Sequence, residues 1–121
     1  MRRFAVKRIY ETPASEDGTR ILVDRLWPRG IAKDKARIDL WLKDVAPSDA
    51  LRKQFHGNPA AWDEFRQAYD VELKDIPAQA AVSDLFELLR SGPVTLLYAA
   101  RDESRNNAVA LRMWLERQVA R

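Results

Sequence analysis

Val94–Ala100 reads VTLLYAA, a nearly unbroken apolar run, and the polar stretch RDESRNN, Arg101–Asn107, follows at once. A run of that kind marks a strand covered on both faces, as in the interior of a parallel sheet. Beyond it, Ala108, Leu111, Leu115 and Val119 recur at helical steps, which predicts a helix from about Asn107 to Val119. A buried strand feeding a helix through a polar loop argues for an α/β architecture.

Working back along the chain, Gly92-Pro93 ends a helix predicted over Ala78–Arg90, whose inward face is Val82, Leu85, Phe86 and Leu89. Asn58-Pro59 is a helix start, with Asn at the N-cap and Pro at the first position. Trp62, Phe65, Tyr69 and Leu73 then form one stripe, read as ordinary core packing. Two short helices are predicted near Ile38–Leu42 and Ser48–Phe55, the second capped by Ser48. Arg20–Trp27 contains the apolar run Ile21-Leu22-Val23 and reads as a strand stopped by Pro28 and Gly30. Phe4–Ile9 reads as an edge strand, and Tyr10–Gly18 as a loop. The expected fold is a single compact three-layer α/β domain over 1–121, with a small, mostly parallel sheet and helices on both faces. The short connection between the first two strands leaves their pairing open.

Composition bounds the function. The 121 residues hold 46% apolar and 32% charged side chains, as in soluble globular proteins. The absence of cysteine excludes disulfides, thiolate nucleophiles and Cys-ligated metals, and a lone histidine excludes any two-imidazole site in one chain. No apolar run approaches the roughly 20 residues of a membrane span, and the start has no signal-peptide pattern. A cytoplasmic protein without membrane partners is expected. The net charge of +3 is too small to point to nucleic acid by itself. That charge is segregated: residues 1–58 hold 13 basic and 8 acidic side chains, residues 59–100 hold 3 and 7, and residues 101–121 hold 5 and 3.

Ligands of open α/β sheets bind beyond the carboxyl ends of the strands. With parallel strands, that rim brings Arg25, Arg29, Arg101 and Arg105 beside the start of the last helix. Arginine forks, with the free N–H groups of a helix N-terminus at Asn106 and Asn107, suit a phosphate or carboxylate. Trp27 offers a stacking face, and Gly30 permits close backbone approach. The alternative is that the arginines pair with Asp24, Asp44, Asp102 and Glu103, and that Asn106 merely caps a helix. His56 is the candidate proton carrier, since imidazole titrates near neutrality, with Asp44 or Asp102 to orient it; otherwise it is a turn residue. Asp24 with Asp102 lacks metal-ligand spacing, and no glycine-rich phosphate fingerprint is present, so neither metal nor cofactor is expected. A helix–turn–helix reading over Ser48–Lys74 fails because its second helix is acidic and repels phosphate.

The stretches RILVDRLWPRGI (Arg20–Ile31), LWLKDVAPS (Leu40–Ser48), FHGNPAAWDEFRQAYDVEL (Phe55–Leu73) and VTLLYAARDESRNNAVAL (Val94–Leu111) resemble the YeaO-like branch of the domain of unknown function family 488. The resemblance covers nearly the whole chain. It implies a compact α/β domain of bacterial or archaeal type, with no assigned reaction. Some members carry a transcription-regulator label, which the acidic helix argues against here. Other branches carry cysteines and a histidine just after the last strand. This chain has Tyr98-Ala99-Ala100-Arg101-Asp102 there, so no thiol- or metal-based role carries over. The matching motifs place emphasis on Arg25, Trp27, Pro28, Arg29, Gly30, Trp41, Asp44 and His56, and on Tyr98, Arg101, Asp102, Asn106 and Asn107. The expected partner is an anionic small molecule, with hydrolysis or group transfer as the chemistry if any occurs. The alternative is a non-catalytic module that binds nucleic acid or protein through a basic strip of Arg2, Arg3, Lys7 and Arg8 beside Lys33, Lys35 and Arg37.

Overall fold

A computed structural model describes residues 3–56 and 58–119. Its sheet has four strands: β1 (Ala5–Arg8), β2 (Thr19–Leu22), β3 (Leu40–Trp41) and β4 (Val94–Tyr98). Their spatial order is β1-β4-β2-β3, and every pair is parallel. The apolar run thus becomes an interior strand, with all five residues of β4 buried. β1 and β2 never pair with each other. β4 lies between them, with Val6 and Ile21 both opposite Leu96. Arg8 does lie on an edge strand, as its charge suggests.

Four helices follow from local signals. In α1 (Asp49–Phe55) the Ser48 hydroxyl accepts from Leu51 N at 3.2 Å, and Glu72 in turn accepts from Ser48 N and Oγ. Asn58 caps a 3-10 turn, Pro59–Ala61, that runs directly into α2 (Trp62–Glu72). Phe65, Tyr69 and Leu73 of the stripe are buried, and the Tyr69 hydroxyl donates to the Val45 carbonyl. α3 (Ile76–Ser91) and α4 (Asn107–Val119) complete the set.

The layers differ from expectation. Alternation along the strands sends Phe4, Ile21, Val23, Val94, Leu96 and Tyr98 to one face, where all four helices contribute to a single core. The opposite face carries Ile9, Leu22 and Leu97, covered by Trp27, Ile31, Ile38, Trp41 and Ala99, and among the described residues no α-helix contributes to this apolar cluster. The parallel sheet is therefore covered twice, but among the described residues the four α-helices pack on one face only. Burial requires area rather than helix, and tryptophans supply about 150–250 Å² each. Trp27 and Trp41 meet edge to face, with centroids 5.4 Å apart. Their indole N–H groups donate to Ile31 O and Asp24 O, both at 2.7 Å. The short helix expected near Ile38–Leu42 is instead strand β3, which pairs Trp41 with Leu22. The second strand likewise ends sooner than Trp27: its ladder closes with Val23 N donating to Leu97 O.

Candidate functional site

Because all strands run the same way, β2 and β4 end on one rim. A cavity of about 440 Å³ opens there. Its walls are the chain leaving β2, the corner between α1 and α2, and the loop joining β4 to α4. Phe55 and Phe65, stacked at 4.4 Å, form an apolar wall.

Leaving β2, Asp24 turns back onto the loop after β4. Its Oδ2 accepts from Ala99 N and its Oδ1 from Asn107 Nδ2, both at 3.0 Å. Burial pushes this carboxyl above its ordinary pKa; the bonds from Asn107 and Ala99 and the charge of Arg52 act the other way without cancelling it. Asn107 also donates to Val23 O at 3.1 Å, latching the start of α4 to the end of β2. Arg25 docks on carbonyls: Nε donates to Pro47 O at 2.9 Å and Nη2 to Ala46 O at 3.3 Å. Its Nη1 has no partner among the described residues.

From α1 come Arg52 and His56, one turn apart. Arg52 Nη2 donates to Asp49 at 3.3 Å, while its Nε is buried without a partner. His56 ends α1 in the left-handed region, at φ 42°, with its backbone N donating to Arg52 O at 2.9 Å. That conformation disfavours most side chains, and histidine tolerates it better than most. The imidazole lines the cavity and has no partner among the described residues. Gly57, next in the chain, lies outside them.

The loop after β4 is organised by Asp102. Its Oδ1 accepts from Ser104 N and Arg105 N, both at 2.9 Å, and these bonds hold the carboxyl below its ordinary pKa. Arg105 Nη1 approaches the other oxygen at 3.5 Å. Asn106 is buried and caps α4: Oδ1 accepts from Val109 N and Nδ2 donates to Asp102 O, both at 2.9 Å. Arg101 is exposed and makes no ion pair among the described residues.

Of the residues singled out in the sequence, Arg25, His56, Arg101, Asp102, Arg105, Asn106 and Asn107 share this cavity, and so does Asp24. The others lie elsewhere. Trp27 packs under the opposite face of the sheet, and Arg29 and Gly30 are exposed in the loop that follows. The Arg29 carbonyl accepts from the Tyr10 hydroxyl at 2.9 Å. Tyr98 is buried in the helix-side core, which pushes its hydroxyl pKa up. Asp44 is exposed in a 3-10 turn, Lys43–Val45, away from the cavity. Neither Asp44 nor Asp102 bonds to His56. Within the basic strip, Arg3 pairs with Glu116, Lys7 pairs with Asp17, and Arg8 donates to Ala100 O. Arg2 lies outside the described residues.

Sequence reasoning missed Arg52, and it named Asp24 only as a partner for the arginines or, with Asp102, for a metal ion. The signals were present: Asp24 is the first charge after an apolar strand, and Arg52 stands four residues before His56, hence on its helix face. Among the described residues no three His, Cys, Asp or Glu side chains converge to hold a metal ion. No helix among them is long and apolar enough to cross a membrane.

Fold and site together define a small parallel α/β domain with an arginine-lined cleft at the carboxyl ends of its strands. The chain belongs to the DUF488 family: the profile described as "Inactive DUF488-N3 subclade" matches residues 3–121. It is 42% identical over 109 residues to the uncharacterized protein YeaO of Escherichia coli K12, covering 90% of this chain and 93% of that protein. It is 44% identical over 109 residues to the uncharacterized proteins Rv3073c of Mycobacterium tuberculosis H37Rv and Mb3100c of Mycobacterium bovis, covering 90% of each chain. No solved structure matches the chain.

Proposed function

We propose that the cleft binds a small anionic molecule, a phosphate or carboxylate, and holds it without turnover. One observation carries this reading: among the described residues, Arg25, Arg52, Arg101 and Arg105 line a single cavity against two carboxylates, Asp24 and Asp102. Both carboxylates are already hydrogen-bonded by backbone or amide groups. The free guanidinium N–H groups suit charge-assisted bonds to an oxyanion. Binding without chemistry is favoured because no carboxylate among the described residues bonds to His56, and because the matching subclade is described as inactive.

Titrating inorganic phosphate into isotope-labelled protein tests it. Saturable shifts of the amides around Arg101–Asn107 are expected, and Arg101→Ala should weaken binding about tenfold, the worth of one charge-assisted bond. A spectrum unchanged by millimolar phosphate would overturn the reading.

A second reading rests on the other face. Lys43 Nζ lies 4.0 Å from the Trp41 ring and Lys33 Nζ 5.8 Å from Trp27. These two lysines, with Arg29, Lys35 and Arg37, have no carboxylate partner among the described residues. Exposed cations over aromatic rings suit a polynucleotide. Polynucleotide affinity that falls steeply with salt would favour this reading.

A further inference from the structure

Building on the anion site, we propose that its ligand is a hydroxylated phosphate monoester, a polyol or sugar phosphate, whose phosphate meets the arginines while a hydroxyl donates to Asp24. The cavity measures about 440 Å³, within the range that holds an organic ligand and several times what a bare oxyanion fills. The rest of the ligand must therefore satisfy the rest of the wall.

That wall contains an acceptor. Each Asp24 oxygen takes one bond from the protein, from Asn107 or Ala99. A carboxylate has about four lone-pair sites, so acceptor capacity is left for a donor in the cleft. A cationic donor is disfavoured, because four guanidinium groups line the same cavity and repel it. A neutral hydroxyl escapes that repulsion. It also suits both protonation states of a carboxyl whose burial favours the neutral form, since a hydroxyl donates to the ionised acid and accepts from the protonated one. Phosphate suits the anionic end better than carboxylate, because a monoester carries more charge and three oxygens to share among separate guanidinium forks. The stacked rings of Phe55 and Phe65 offer an apolar surface to the carbon skeleton.

The test compares n-propyl phosphate with glycerol 1-phosphate, which share a three-carbon chain and differ in two hydroxyls. Calorimetric titration of the wild-type protein should show glycerol 1-phosphate binding about tenfold tighter, the worth of one hydrogen bond to a charged group. In Asp24→Ala, which offers a hydroxyl neither donor nor acceptor, the two affinities should converge once circular dichroism has checked the fold. Equal affinities in the wild type would overturn the inference and leave the anion site standing. No binding of either ester or of inorganic phosphate would overturn the anion site itself. A hydroxyl preference that survives undiminished in folded Asp24→Ala would overturn the assignment to Asp24. A variant that fails to fold leaves the wild-type comparison to decide.

Discussion

An aspartate and an arginine stand at or beside each end of strand β2, and the two pairs have opposite fates. At its start, Asp17 accepts from Lys7 Nζ at 3.1 Å, from Arg20 Nη1 at 2.5 Å and from Ala14 N at 2.9 Å. Arg20 uses its remaining nitrogens on Arg37 O and Ala36 O, and is 5% exposed. At the other end, Asp24 and Arg25 bond to backbone and amide groups instead of to each other, and both line an open cleft. The first pair is closed, with each charge neutralised by a neighbour. The second is open, with donors and acceptors left over on a cavity wall. Residue type is the same at both ends. The set of partners separates a structural ion cluster from a binding site.

Removing a member of the closed cluster should have the largest effect. Asp17→Ala leaves Arg20 buried and unpaired, which should cost about 3–5 kcal/mol in urea unfolding. A loss below about 1 kcal/mol would mean that water reaches the cluster and that the contrast between the two ends is false.

Next comes the backbone at the two ends. Gly18 sits at φ 64°, and a Cβ there would overlap the Pro93 carbonyl group. Gly18→Ala should therefore destabilise by about 2–4 kcal/mol, combining positive φ with overpacking. Gly30 has φ 75° but open space around it, so Gly30→Ala should cost only about 1–2 kcal/mol. Thermal melts of the two variants would test the difference, and equal losses would contradict it.

The two aspartates should also give stability–pH slopes of opposite sign. Burial would raise the Asp17 pKa, but bonds from Ala14 N, Lys7 and Arg20 outweigh it and hold the pKa below its ordinary value. In the window between that lowered value and the unfolded value of about 3.9, the unfolded chain binds the extra proton, so Asp17 adds stability as pH rises. That contribution is lost as pH falls through the folded pKa. The Asp24 pKa is raised, so between about 3.9 and its folded value the native state holds the extra proton. Its contribution is present below that window and is lost as pH rises through it. Urea midpoints of Asp17→Asn and Asp24→Asn across acid pH should deviate from wild type in opposite directions. Deviations of the same sign would refute the assignment.

The smallest effects belong to the open end. Arg25→Ala removes two bonds to carbonyl groups and should cost about 1–2 kcal/mol. Arg101→Ala removes no bond and should change stability by less than about 0.5 kcal/mol, while still weakening phosphate binding. A large loss of stability in Arg101→Ala would show that this end is closed as well.

Much of the framework was legible because its signals are local. The run Val94–Tyr98, the helix Asn107–Val119, the buried stripe of Phe65, Tyr69 and Leu73, and the caps Ser48 and Asn58 are each set by neighbours within a few residues. The shared rim followed as soon as the strands were taken as parallel. Three matters rested on the tertiary structure alone. β3 is two residues long and exists only through its pairing with β2, so no local pattern announces it. The side on which the helices gather depends on how much area the Trp27 and Trp41 rings cover on the other face. The division of the predicted site depends on where the chain turns after β2: Asp24 and Arg25 stay at the cleft, while Trp27 passes beneath the sheet and Arg29 and Gly30 are carried into the exposed loop. A charge becomes free or paired through residues distant in sequence, such as Ala99 and Asn107 for Asp24, and such partners exist only once the chain has folded.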